Sequence, residues 1–112
     1  MENIDFYKQH LRLLEERSVG KLVELDYHDD AVMLILTGDE PKYVNGKKNI
    51  AELFEGYLQY VYRGFISTEK LAITDDCVFL EATIDTTNGP LKVYDAMYMK
   101  DGKIFRHFTG IK

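Results

Sequence analysis

Two residues near the C-terminus, Asp95 and His107, are those most able to do acid–base chemistry in this chain. The segment Thr87-Asn88-Gly89-Pro90 reads as a two-residue hairpin turn, because Asn-Gly tolerates the positive φ that such turns need. That turn sets a register in which Ile84 faces Val93, Ala82 faces Asp95, Leu80 faces Met97 and Val78 faces Met99. One face of the ribbon is then apolar except at Asp95. A charge stranded there costs on the order of several kcal/mol unless it is paired or protonated. A ligand pocket is one justification, since pockets are apolar cavities with a few polar anchors.

The partner of Asp95 depends on how the last hairpin turns. With Asp101-Gly102 as a two-residue loop, Arg106 shares the face of Asp95 and lies diagonal to it, so an internal ion pair holds the sheet. With Lys100-Asp101-Gly102 as a three-residue loop and bulge, His107 sits directly opposite Asp95, and the pair could shuttle a proton. His10, one turn from Tyr7 on the first helix, could look into the same cavity, although polar residues on most other turns favour a surface position. Phe54, Tyr57, Met97, Met99 and Phe105 are plausible lining for an apolar or aromatic ligand. His28 beside Asp29-Asp30 has no accompanying metal-ligand spacing and reads as part of a turn. Cys77 starts a strand and reads as a small hydrophobe.

The elements that must position these groups follow from periodicity. From Asn3 to Arg17, Ile4, Tyr7, Leu11 and Leu14 recur at helical spacing. Ser18 or Gly20 breaks this helix, and a short second one runs through Leu22 to Leu25. Tyr27-His28-Asp29-Asp30 reads as a polar turn, Ala31 to Leu36 as a buried strand, and Thr37 to Gly46 as a loop or broken hairpin. A long helix begins near Lys47, carries Ile50, Leu53, Phe54, Tyr57, Leu58 and Val61 on one stripe, and ends at Gly64. The period then changes to two. Phe65 to Thr74, Cys77 to Thr86, Leu91 to Lys100 and Lys103 to Ile111 make four strands. Helices first and an antiparallel meander last give an α+β layout.

The outer face of the Asn88-Gly89 ribbon carries Phe79, Tyr94 and Tyr98, more aromatic surface than an idle face usually shows. A second subunit could cover it; plain amphipathic surface is the alternative. The 112 residues make a single domain, and the formal charge of −5 without a basic cluster disfavours nucleic acid. Cys77 is the only cysteine, so no internal disulfide forms, which fits a reducing compartment. No apolar run reaches a membrane span, and Glu2 and Asp5 do not suit a signal peptide. These features point to a cytoplasmic protein.

Three segments in order carry a family resemblance: Tyr27-His28-Asp29-Asp30-Ala31-Val32, Val44-Asn45-Gly46-Lys47-Lys48-Asn49-Ile50, and Val93 through Ile104. With them the chain resembles the nuclear transport factor 2-like superfamily, particularly its SnoaL-like and ketosteroid-isomerase-like members, over nearly its whole length. The resemblance implies one SnoaL-like domain over 1–112, a cone-shaped curved antiparallel sheet packed on N-terminal helices (a cystatin-like α+β roll). It also implies a ligand site inside the cone, and a homodimer. It favours the register that places His107 opposite Asp95. In the ketosteroid-isomerase-like branch the position matching Asp95 is a neutral aspartic acid donating to an oxyanion, the very case the general rule for such acids is drawn from. That branch's base would fall near Ile35, and its tyrosine in the His10-Leu11-Arg12-Leu13 region. Neither is present, so steroid isomerisation by that route is not expected.

The expected function is that of a small-molecule pocket protein acting on an apolar carbonyl compound by isomerisation, cyclisation or dehydration. Asp95 would be the acid or hydrogen-bond donor and His107 the proton shuttle. Phe54, Tyr57, Met97, Phe105 and His10 would contact the ligand, and no metal or cofactor is implied. The rival is a non-catalytic ligand-carrying or dimerisation module of the same fold, because this fold hosts many activities.

Overall fold

The computed structural model describes residues 2–112. Helices α1 (Asn3–Glu15) and α2 (Val19–Asp26) precede strand β1 (Tyr27–Ile35) and a short β2 (Lys42–Asn45). Helix α3 (Gly46–Tyr60) leads into β3 (Tyr62–Ile73), β4 (Cys77–Thr86), β5 (Gly89–Lys100) and β6 (Lys103–Ile111). The six strands form one sheet in the order β2-β1-β6-β5-β4-β3, all neighbours antiparallel except the parallel pair β1 and β6. This is the expected α+β layout, with the helices on the concave face.

Register shifts along β3–β4 and between Tyr98 and Met99 on β5 bend the sheet, since each extra residue kinks its strand and increases twist. The fully buried Leu22, Tyr27, Ile50, Val78 and Ile104 tie the helices to that concave surface. The buried stripe of α1 is Phe6, Tyr7, His10 and Leu13, rotated from the expected one. Leu11 and Leu14 border a cavity instead.

Several local expectations are corrected. The β4–β5 turn uses Thr87 and Asn88, so Thr86 pairs with Gly89, and Gly89 takes the positive φ of 98°. The register therefore moves by two residues: Leu80 faces Asp95 and Ala82 faces Val93. A shift of two keeps each side chain on its face, so the apolar inner surface survives. Tyr27-His28-Asp29-Asp30 is not a turn but the start of β1, anchored where Tyr27 pairs with Ile104. The second half of the expected loop becomes β2. Helix α3 stops at Tyr60, before Gly64, which lies within β3.

The β5–β6 hairpin has the two-residue loop of the first sequence alternative but not the register drawn from it. Its loop is Asp101-Gly102, both at positive φ, and Lys100 pairs with Lys103. The extra residue enters one pair later, where Met99 faces Ile104 and Tyr98 faces Arg106, so Phe105 is bulged. His107 then stands opposite Met97 and diagonal to Asp95, and Thr109 is the residue directly across from Asp95.

Candidate functional site

Helices α1 and α3 cover the curved sheet incompletely and leave a cavity of about 300 Å³, at the lower end of the range for small-molecule sites. Its walls are largely aliphatic and aromatic: Leu11 and Leu14 from α1, Leu53, Phe54 and Tyr57 from α3, and Leu80, Ala82, Val93 and Met97 from the sheet. The exposed Val61 and Ile111 lie at its rim. Polar atoms enter it at few points, and those points decide its chemistry.

Asp95 reaches the cavity from the middle of β5. Its Oδ1 accepts a hydrogen bond from His107 Nε2 at 2.7 Å. The opposite imidazole nitrogen, Nδ1, lies 2.8 Å from the hydroxyl of Tyr27, which is completely buried. Burial first, then the charges of Asp95 and Asp26, push the Tyr27 hydroxyl well above its ordinary pKa, so it keeps its proton. A carboxylate at Asp95 can only accept, which places an imidazole proton on Nε2 and leaves Nδ1 of the neutral ring to accept from Tyr27.

Burial alone would raise the Asp95 pKa. The hydrogen bond from His107 and the charge of that imidazole oppose it, with smaller help from Thr109 and His10. The net effect holds Asp95 below the usual carboxylate range. Its side chain is 22% accessible, and that surface opens into the cavity that Asp95 lines. Asp95 thus lines the cavity with a carboxyl group whose environment favours the ionised, accepting form. The lowered pKa favours the ionised form of Asp95 over the neutral, donating acid of the expectation.

His107 lines the cavity, but both ring nitrogens are taken by Asp95 and Tyr27. It orients Asp95 and has no nitrogen left for a ligand while these bonds hold. The cavity histidine with a free nitrogen is His10. It is buried rather than on the surface, and its Nδ1 lies 2.9 Å from Oδ2 of Asp26. Its Nε2 has no hydrogen-bond partner among the described residues yet is not sealed from solvent, and the residue lines the cavity. The Tyr57 hydroxyl is likewise accessible and unpartnered among the described residues. Burial, then the Asp95 charge, raise its pKa, so it is a neutral donor. Tyr7 also lines the cavity, its hydroxyl bonded to Thr68 at 2.8 Å.

Of the expected lining, Phe54, Tyr57, Met97 and His10 border the cavity with Asp95 and His107. Met99 is buried in the core beyond it. Phe105 is a correction: the bulge puts it outside the cavity, edge-on to His28 at 5.2 Å between ring centroids. The Arg106 guanidinium stacks over it at 4.0 Å and donates to the carbonyls of Asp30 and Phe105. That geometry removes the ion pair between Asp95 and Arg106. Asp26 and Tyr27, which sequence reasoning missed, sit at the α2–β1 junction, Tyr27 at the start of the segment read as a polar turn and Asp26 just before it.

No family model matches the sequence, and no curated protein matches it. Solved structures do match its shape. A protein of unknown function from Mesorhizobium loti, described as NTF2-like, superposes with a TM-score of 0.82 at 14% identity, covering 97% of this chain and 89% of that one. A candidate isomerase from Bacillus subtilis gives 0.77 at 18% identity over 97% and 85% of the two chains. A candidate SnoaL-like polyketide cyclase from Mesorhizobium loti gives 0.76 at 18% identity over 97% and 98%. At these identities the likeness carries architecture and not activity. The curved sheet, its helical cover and these superpositions together establish that the chain has the nuclear transport factor 2-like fold.

Proposed function

We propose that the cavity binds a flat, apolar carbonyl compound and that Asp95 removes a proton from the carbon next to the carbonyl. The observation that carries this is the Asp95 carboxyl lining the cavity, hydrogen-bonded to His107, which Tyr27 holds in turn. A carboxylate held in one orientation within an apolar site is a positioned general base. The Tyr57 hydroxyl, neutral and unpartnered among the described residues, supplies a donor for the enolate oxygen that forms. The low pKa of Asp95 makes it a weak base, so the C–H bond must be activated, by an aromatic ring or a second carbonyl beside it. The likeness to a candidate isomerase and candidate polyketide cyclases supports carbanion chemistry of this kind.

The test is exchange of the benzylic protons of phenylacetone in D2O, followed by NMR. The wild-type protein should accelerate exchange, and Asp95→Asn should reduce it about 100-fold or more. Exchange no faster than in buffer with wild type, or equal in the variant, would overturn the reading.

The outer sheet face is proposed as a homodimer surface. Tyr98 is 46% exposed, and Tyr43 and Phe108 are also exposed. Phe79 and Tyr94 are half-buried there. The unpaired Cys77 fits the reducing cytoplasm, and among the described residues no helix is long and apolar enough to cross a membrane.

A further inference from the structure

A second histidine–carboxylate pair, which proton abstraction by Asp95 does not use, reaches the cavity through His10, with Asp26 buried behind it. Asp26 is completely buried, one oxygen held by His10 Nδ1 at 2.9 Å and the other by Gln9 Nε2 at 2.7 Å. Removing such a carboxylate from water is costly, and its bonds clamp His10 in one orientation. Phe6 stacks on the other side of the imidazole at 5.8 Å between centroids. Nε2 is thus the one nitrogen of His10 left for a ligand. The Tyr27 ring separates the two pairs, 6.3 Å from His10 and 6.0 Å from His107 by centroids. Proton donor and proton acceptor are therefore distinct places in one cavity.

We propose that His10, oriented by Asp26, is a second residue that contacts substrate and delivers a proton to a hydroxyl leaving from the carbon β to the carbonyl. This rests on the reading of Asp95 as base. A simple isomerisation needs a base and one donor at the carbonyl oxygen, roles that Asp95 and Tyr57 fill. A third open group suits a substrate with a second oxygen, and a β-hydroxy carbonyl compound is the class that uses all three. Asp95 takes the α proton, and that C–H electron pair becomes the Cα=Cβ bond. Because the Asp26 carboxylate holds the Nδ1 proton, His10 must enter as imidazolium: the Cβ–O bond breaks as oxygen receives the proton from Nε2, water departs, and the neutral ring keeps its proton on Nδ1. Asp95 then returns its proton to solvent and His10 regains one, so no oxidant or cofactor is consumed.

The probe is 4-hydroxy-4-phenylbutan-2-one, whose loss of water forms a conjugated, ultraviolet-absorbing enone. Wild type should dehydrate it, and His10→Asn should do so about 100-fold or more slowly. Asparagine can keep a hydrogen bond to Asp26 while removing Nε2. In the same variant, exchange of the phenylacetone protons should fall far less than dehydration does, and an unchanged circular dichroism spectrum reports an intact fold. Should His10→Asn fail to fold, Asp26→Asn should give the same split between the two reactions. Dehydration at wild-type rate in a folded variant, or no dehydration by a wild type that does exchange phenylacetone, overturns the role of His10 and leaves Asp95 as base. Absence of exchange in wild type sinks both.

Discussion

His107 is held between Asp95 and Tyr27 by hydrogen bonds of 2.7 and 2.8 Å, one on each ring nitrogen. An imidazole bound at both ends is a lever on the group it touches rather than a free reagent. Tyr27→Phe removes one end. It leaves Nδ1 buried without its donor, at a cost of about 1–3 kcal/mol, readable as a lower urea midpoint. It also frees the imidazole to change tautomer, so 15N NMR of His107 should lose the pattern with the proton on Nε2. An unchanged tautomer in a folded variant would show that Asp95 alone orients the ring.

The lowered pKa of Asp95 gives its contribution to stability a definite sign. The folded state holds the carboxyl below the ordinary value of 3.8, so between the two values the unfolded chain binds more protons. The stabilising contribution is therefore complete above about pH 4 and disappears as pH falls through the lower, folded-state value. Comparing melting temperatures of wild type and Asp95→Asn across acid pH should show wild type ahead near neutrality and the gap closing below 3.8. A gap that widened in acid would mean that burial dominates and that Asp95 is the neutral acid first expected.

The apolar face around Asp95 was legible because strand alternation has period two, and the two-residue error in the β4–β5 turn preserved it. The partnership with His107 was legible only by luck of compensation. The loop has two residues, not three, and the extra residue enters at Phe105. Nothing local announces that bulge. It is stabilised by contacts of Phe105 with its neighbour Arg106, with Lys100 across the turn, and with His28, which only the folded sheet brings to it. Asp26 and Tyr27 were missed for a related reason. Their neighbours are short and polar, and their partners, His10 and His107, are distant in sequence.

Phe105 offers a clean separation between sheet stability and the pocket. Its ring lies 4.7 Å from the Lys100 ammonium and 4.0 Å from the Arg106 guanidinium, outside the cavity. Phe105→Ala should lower stability by about 1–3 kcal/mol through lost packing and cation–π contact. Phenylacetone exchange by the folded fraction should be unchanged. A loss of exchange without a loss of stability would return Phe105 to the ligand site.

The outer sheet face makes a prediction about assembly that is independent of the pocket. Tyr98 on β5 and Phe108 on β6 are exposed aromatics on the convex side, with half-buried Val32 and Leu34 on β1 beside them in the parallel pairing with β6. Exposed apolar surface spanning neighbouring strands favours self-association if a copy can bury it. A glutamate at the centre of such an interface would be desolvated without a partner, a penalty of several kcal/mol, enough to dissociate a micromolar dimer. Sedimentation equilibrium should therefore find dimers for wild type and monomers for Phe108→Glu, with the circular dichroism spectrum unchanged, because the position is exposed in the monomer. A monomeric wild type at high micromolar concentration would leave the aromatics as solvent-facing strand residues, whose β propensity alone accounts for their presence.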